Sequence, residues 1–322
     1  MTTIIVAELA QDIEGFLAFK RALGYAYRRG EFTLRCFRRF VEQRTAKRTK
    51  VDLEPLLKEW VGRIDGRKAV TVSLEFGVIR QLCLYRRRRD PYSFVPDHGW
   101  APIKEAPFLP YIFSREEIRR LLAAASKHRG RNIGAALLRS LILILYCTGL
   151  RLGEVVRFRL TDVDLERQSF LVRESKGRTR IVPFRADLAG ELRLYLSERQ
   201  RIVAQAPQDD TGALLLRRNG APLTVKTASN VLRLLLRKEG LKPAQGRTGP
   251  RPYELRHAFA VHRLTDWYRQ GVDIHAKLPW LSAYMGHQNV LGTEVYLAAT
   301  PELLSLASQR FERRLLRARR QR

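Results

Sequence analysis

The sequence predicts a mainly α-helical protein that carries one small antiparallel β-sheet and is divided into two domains. Three observations carry that expectation. Apolar residues recur at three- and four-residue steps along most of the chain, the spacing of amphipathic helices. One stretch from Ser169 to Phe184, S-F-L-V-R-E-S-K-G-R-T-R-I-V-P-F, alternates instead and turns at Ser175-Lys176-Gly177, a β-hairpin pattern. Between Pro91 and Pro110, Pro96, Pro102, Pro107 and Gly99 suppress any period, which suits a semi-rigid spacer. These place a helical domain over residues 1–98, a linker over 99–110 and a second domain over 111–322.

In the first domain, Phe16, Phe19 and Leu23 lie on one helical face, and Phe32, Cys36, Phe37, Phe40 and Val41 lie on another. A further helix is expected from Leu74 to Tyr85, running into Arg86, Arg87, Arg88 and Arg89. The second domain opens on Ser114-Arg115-Glu116-Glu117, a capping box that starts a helix through Ile118, Leu121, Leu122 and Ala125. A buried helix follows near Leu141–Leu150, then the turn T-G-L-R-L-G-E, then the hairpin. Helices resume over Leu188–Val203, Thr227–Leu236 and Arg256–Tyr268. From Pro301 an amphipathic tail sets Leu303, Leu304, Ala307, Phe311 and Leu315 in step, as a helix seeking a groove on its own domain or on a neighbour.

Composition narrows the partners. With 60 Lys and Arg against 32 Asp and Glu, the chain of 322 residues carries a net charge of +28, which points to a polyanion. Clustered guanidiniums release condensed counterions on meeting phosphates, so the run Arg86–Arg89 is a candidate nucleic-acid clamp, with Arg178 and Arg180 on the hairpin as further contacts. The most apolar segment is too short to span a bilayer, and the opening residues carry no basic stretch followed by an apolar one. No membrane association and no secretory signal are expected. Cys36, Cys83 and Cys147 show no paired or metal-ligand spacing and read as reduced core residues of a cytoplasmic protein.

The chemistry rests on a few residues. A phosphodiester resists attack because its oxygens repel nucleophiles and its alkoxide leaves poorly, so catalysis without a metal needs fixed cations, an acid and a positioned nucleophile. Arg151 and Arg256 offer planar forks for one phosphate, a geometry lysine lacks. Lys176 at the hairpin tip could donate a proton, His287 could hydrogen-bond the phosphate, and Tyr296, nine residues beyond His287, could attack. No metal or cofactor is expected.

The order of these motifs resembles the tyrosine recombinase (phage integrase) family from about Ser114 onward: Arg in T-G-L-R-L-G-E, Lys on a hairpin, Arg in Y-E-L-R-H-A-F-A, His in M-G-H, then Tyr in T-E-V-Y. The resemblance implies a SAM-like helical core-binding domain followed by a tyrosine-recombinase catalytic domain. It implies that Arg151 and Arg256 clamp the scissile phosphate, Lys176 protonates the 5′-oxygen, His287 supports the phosphate and Tyr296 forms a 3′-phosphotyrosyl link. Glu154 is then a residue that orients the site. Double-stranded DNA with specific recombination sites, a homo-tetramer on that DNA, accessory recombinases and a bacterial, nucleoid-associated setting follow as expectations, with a mobile element as the object moved. A type IB topoisomerase and a DNA-binding protein with a decayed site are the alternatives.

The chain departs from the family at one position. Tyr253 stands where the family usually has a histidine, three residues before its second arginine. A phenol hydrogen-bonds but accepts a proton poorly at neutral pH. Either Tyr253 acts by positioning alone, or another group deprotonates Tyr296. His257 is the nearest other imidazole, although neighbours on a helix point to different faces, which favours the first option.

Overall fold

The computed structural model describes residues 3–45, 50–63, 66–101, 110–175, 178–206, 209–246, 248–297 and 300–320. The chain falls into two compact units, residues 1–108 and 109–322.

In the first unit, strand β1 (Thr3–Ile5) leads into α1 (Val6–Ala22) and α2 (Arg28–Thr45), then β2 (Lys50–Asp52), α3 (Leu53–Gly62) and α4 (Ala69–Arg87). β1 and β2 pair antiparallel, with Ile4 opposite Val51. The helices form because their apolar stripes meet in one core: Phe16 and Leu17 from α1, Leu34, Phe37 and Val41 from α2, Trp60 from α3, and Phe76 and Ile79 from α4. Phe94 and Trp100, beyond α4, pack against that core as well. Phe32 departs from its expected place on the apolar face: it is 68% exposed, because α2 turns Thr33, Leu34 and Phe37 inward instead.

The second unit begins with α5 (Arg115–Ser126), whose capping box closes in both directions: Glu117 N–H donates to Ser114 Oγ and Ser114 N–H donates to a Glu117 carboxylate oxygen. α6 (Ala135–Thr148) is buried on most of its circumference, and the five-residue α7 (Leu152–Val156) follows a tight turn. Strands β3 (Val163–Asp164), β4 (Ser169–Ser175) and β5 (Arg178–Pro183) form an antiparallel sheet in that order, with Phe170 opposite Val182 and Val172 opposite Arg180. Then come α8 (Ala186–Gln205), α9 (Val225–Lys238), α10 (Glu254–Arg269), α11 (Ile274–Met285), α12 (Leu291–Glu294) and α13 (Pro301–Arg320). A large core joins α5, α6, α8, α9 and the sheet, and a smaller one gathers α10, α11, Tyr296 and Leu303. The start of α13 thus packs on its own domain: Leu303 is fully buried, Glu302 pairs with Arg269 and Arg310 donates to the Val272 carbonyl. Leu304 and Phe311 of the same helix stay exposed.

Cys36, Cys83 and Cys147 are free, and burial pushes the Cys83 thiol up to about 12 and the Cys147 thiol to about 11, so both stay unreactive thiols at neutral pH. Among the described residues no helix is long and apolar enough to cross a membrane.

Candidate active site

The site is built on two helix ends. α6 stops at Gly149, whose φ of 61° lies in the left-handed region; a Cβ there would meet the Phe259 ring at 2.3 Å. The turn seals Leu150 into the core and leaves Arg151 at the N-terminus of α7. α11 stops the same way at Gly286, φ 69°, where a Cβ would meet the Arg180 guanidinium at 2.6 Å. Only glycine admits both the backbone and the arginine at that point.

Three guanidiniums converge on the last carbonyls of α11. Arg256 donates to the Met285 carbonyl at 2.8 Å and to the Gly149 carbonyl at 2.6 Å. Arg151 donates to the Gly286 carbonyl at 3.1 Å. Arg180 donates to the carbonyls of Tyr284 at 3.0 Å and Met285 at 3.3 Å. These carbonyls have no partner within their own helix, and the helix dipole makes this end negative. Glu154 supplies a full charge: almost wholly buried, it accepts from Arg151 at 3.0 Å and from both terminal nitrogens of Arg180 at 3.2 Å. A helix terminus and one carboxylate thereby hold three mutually repelling cations together. Burial, then the neighbouring Arg151, lowers the Arg256 pKa from its ordinary value, and its Nε–H is buried with no hydrogen-bond partner among the described residues.

Removing Glu154 should unfasten that arrangement. Glu154→Ala is expected to cost about 3 kcal/mol of stability, because it strands Arg180 and Arg151 beside one another without their anion; denaturant unfolding of the two proteins reads the difference directly.

Tyr296 follows α12 and is 2% exposed. Its hydroxyl lies 3.0 Å from His257 Nδ1, and the two rings are 5.3 Å apart. Burial pushes the phenol up to about 12, while the Arg256 and Arg151 guanidiniums pull against that rise. His287 sits beside it, ring centres 6.3 Å apart, and its Nδ1 is 2.7 Å from the buried Thr293 hydroxyl, which fixes the ring. His257 is held down to about 4 by burial and then by the Arg256 and Arg251 charges, so its imidazole is neutral at physiological pH.

The structure gathers Arg151, Glu154, Arg256, His257, His287 and Tyr296 in one place, with Tyr253 at the rim. Tyr253 is 41% exposed and meets the site edge-on through the His257 ring, 4.9 Å between centres. Lys176 lies outside the described residues, as does the Arg178 side chain. Three placements differ from the sequence expectation. His257 does face Tyr296, because the tyrosine arrives from beyond α12 at a flank of α10 that Arg256 leaves free. Arg180 turns inward from β5 to Glu154 instead of outward to DNA, since the buried carboxylate and the α11 carbonyls outcompete solvent. Arg86 is likewise spent internally: with a side chain 10% exposed, it donates to Asp12 at 2.5 Å, and Arg89 reaches the same carboxylate. Arg87 and Arg88 remain exposed, Arg88 lying over the Phe19 ring. The sequence reading did not single out Glu254 or Thr293; the i,i+3 spacing of Glu254 and His257 on one helix was the available signal for the first.

The phage integrase family model matches residues 112–302. The protein named as integrase/recombinase y4rB of Sinorhizobium fredii is 33% identical over 310 residues, covering 94% of this chain and 97% of its own length. Tyrosine recombinase XerA of Thermococcus kodakarensis is 33% identical over 213 residues, 65% of each chain. Among solved structures, the Tn1549 transposon integrase in complex with transposon right end DNA superposes with a TM-score of 0.68 at 17% identity, covering 96% of this chain and 99% of that one, a likeness of fold. The XerH site-specific recombinase bound to palindromic difH substrate gives 0.65 at 20% identity, covering 88% and 78%. With its arginines, histidines and tyrosine assembled on that fold, the chain belongs to the phage integrase family and is a tyrosine recombinase, an enzyme that breaks and rejoins DNA.

Proposed function

We propose that the protein is a site-specific recombinase that cuts and rejoins double-stranded DNA through a 3′-phosphotyrosyl intermediate on Tyr296 and thereby integrates, excises or transposes a mobile element. One observation carries the reading: Arg151 and Arg256 converge, with His287, beside the buried hydroxyl-bearing ring of Tyr296. Two guanidiniums can hold the non-bridging oxygens of one phosphate, and the unpartnered Nε–H of Arg256 is a further donor for them. His287, its ring fixed by Thr293 through Nδ1, is assigned the support of the phosphate. Lys176 is assigned the protonation of the departing 5′-oxygen. Because a phosphotyrosyl ester conserves the energy of the cut bond, rejoining needs no external energy source.

In this reading, residues 1–98 form the core-binding half, with Arg87 and Arg88 available to the DNA backbone, and residues 111–322 form the catalytic half. The mobile-element role is supported by y4rB, which is named as an integrase/recombinase and matches nearly the whole chain. The exposed Leu304 and Phe311 of α13 supply an apolar edge for a neighbouring protomer in a DNA-bound homo-tetramer, alone or with accessory recombinases, in the bacterial cytoplasm at the nucleoid.

The deciding experiment pairs two assays on one preparation. A plasmid carrying two copies of the DNA that flanks the gene should yield recombinant circles, whereas a supercoiled plasmid without those sites should stay supercoiled. Relaxation without recombination would mark a topoisomerase instead.

A further inference from the structure

We propose that His257, aligned by Glu254, takes the proton from Tyr296 during cleavage, filling the role for which Tyr253 is chemically unsuited. The inference rests on the nucleophilic role assigned to Tyr296 above.

The groups facing each ring nitrogen of His257 point to which nitrogen does what. Glu254 is 1% exposed, its Oε1 accepts from Arg251 at 2.9 Å, and its Oε2 is buried with no hydrogen bond of normal geometry. The group facing Oε2 is His257 Nε2, at 3.4 Å. A carboxylate only accepts, so a bare Nε2 would set lone pair against lone pair. The proton therefore sits on Nε2, and the lone pair sits on Nδ1, 3.0 Å from the Tyr296 hydroxyl. The hydroxyl donates and the imidazole accepts. A carboxylate that fixes the tautomer of a histidine, which in turn faces the nucleophile, is the general arrangement for activating a hydroxyl.

The other groups near Tyr296 serve less well. His287 has Nδ1 committed to Thr293 Oγ1, and its ring lies parallel to the Tyr296 ring at 6.3 Å, not end-on to the hydroxyl. Tyr253 is a phenol at the solvent edge whose contact is with the His257 ring itself. Its edge-on packing steadies the imidazole.

The step balances without any further reactant. The Tyr296 oxygen bonds to phosphorus as the phosphorus–O5′ bond breaks; the phenolic proton passes to His257 Nδ1, and the 5′-oxygen takes a proton from the acid assigned to Lys176. In rejoining, the 5′-hydroxyl gives its proton back to the group assigned to Lys176 as its oxygen attacks phosphorus, the phosphorus–Tyr296 bond breaks, and His257 returns the proton to the tyrosine oxygen. Burial first, and then the Arg256 charge, keep His257 from accepting a proton in the free enzyme; a phosphate anion on the two arginines offsets the second of these and so favours the transfer. Glu254 then faces an imidazolium and stabilises it. Glu254 is a positioning residue in this scheme, since it touches neither phosphate nor nucleophile.

The test is single-turnover formation of the covalent complex on a nicked DNA substrate. Asparagine and glutamine both keep a hydrogen-bonding group near the imidazole position yet cannot accept a proton, so His257→Asn and His257→Gln are measured in parallel and rates are read from whichever retains wild-type DNA affinity and unfolding temperature. Covalent-complex formation is expected to fall roughly 10²- to 10³-fold, the range for loss of one general base. Glu254→Gln is expected to slow the same step roughly tenfold, the share of a base's effect that rests on its orientation, with DNA affinity unchanged. A substrate with sulfur in place of the 5′-bridging oxygen separates the two proton transfers, because a thiolate leaves unaided. It should restore Lys176→Ala and leave the His257 variants slow. Rates within threefold of wild type for the His257 variants, or their restoration by the sulfur substrate, would overturn the proposal. Tyr296→Phe run alongside keeps the two ideas apart. If that variant forms no covalent complex while the His257 variants react normally, only the base assignment falls; if it still forms one, the nucleophile assignment falls first.

Discussion

Tyr296→Phe is expected to bind its DNA site with unchanged affinity and to form no covalent complex. The substitution removes one oxygen. The ring stays where it is, buried among Phe259, Leu281 and Leu303, so the core keeps its packing. What is lost inside the protein is the hydroxyl's hydrogen bonding to His257 Nδ1 and to the Arg256 guanidinium, about 1 kcal/mol for each bond, too little to unfold the domain. What is lost chemically is the protein atom that bonds to phosphorus in this scheme. Cleavage should drop by at least roughly 10⁴-fold, the scale on which removing a covalent nucleophile acts. Denaturing gels of protein incubated with labelled nicked DNA read the result, with gel-shift affinity measured beside them.

Arg256→Lys is the second large effect, and here structure and chemistry fail together. The charge is retained, but one ammonium cannot span the Gly149 and Met285 carbonyls and also face a phosphate, as the planar guanidinium does. Two helix-terminal carbonyls would have to share one ammonium nitrogen in place of the fork of Arg256, itself 1% exposed, at a cost of about 2 kcal/mol in stability. The loss of a fixed donor to the phosphate should slow cleavage by roughly 10²- to 10³-fold. Arg151→Lys makes the informative contrast. Arg151 is more accessible and makes one such carbonyl contact, so its replacement should impair cleavage with a smaller change in unfolding temperature. Thermal unfolding and single-turnover cleavage on both variants separate the two contributions.

Much of the fold is legible in the sequence. The capping box at Ser114, the buried α6, the alternating hairpin and the periodic helices α8 and α9 are local patterns, and local patterns are what a sequence displays. The features that escaped are those whose cause is distant. The β1–β2 pair joins two three-residue strands on either side of two helices, and no window contains both. α11 carries Pro279 in its interior, which reads as a break but is tolerated because the helix is short and docked on the α10 core. The roles of Arg86 and Arg180 followed the same rule: each looked like one more surface cation until Asp12 or Glu154, far away in the chain, was placed beside it.

The site was legible in its membership but not in its wiring. Motif order located Arg151, Arg256, His287 and Tyr296. It could not show that the end of α11 is what brings three arginines together, since backbone carbonyls leave no trace in a list of side chains. Nor could it show which histidine faces the tyrosine. The rule that adjacent helical residues point apart is right for Arg256 and His257. Arg256 reaches into the α11 terminus while His257 turns to Tyr296, and the tyrosine is placed by a separate short helix.

Whether Tyr296 carries the DNA is read from the identity of the residue linked to it. Wild-type protein is trapped on a nicked duplex bearing its recombination site, digested with protease, and the nucleotide-bearing peptide is sequenced by mass spectrometry. A single adduct on Tyr296 is expected, joined to a 3′-phosphate, with a free 5′-hydroxyl on the released strand. An adduct on Tyr253 or any other residue, or one joined to a 5′-phosphate, would contradict it.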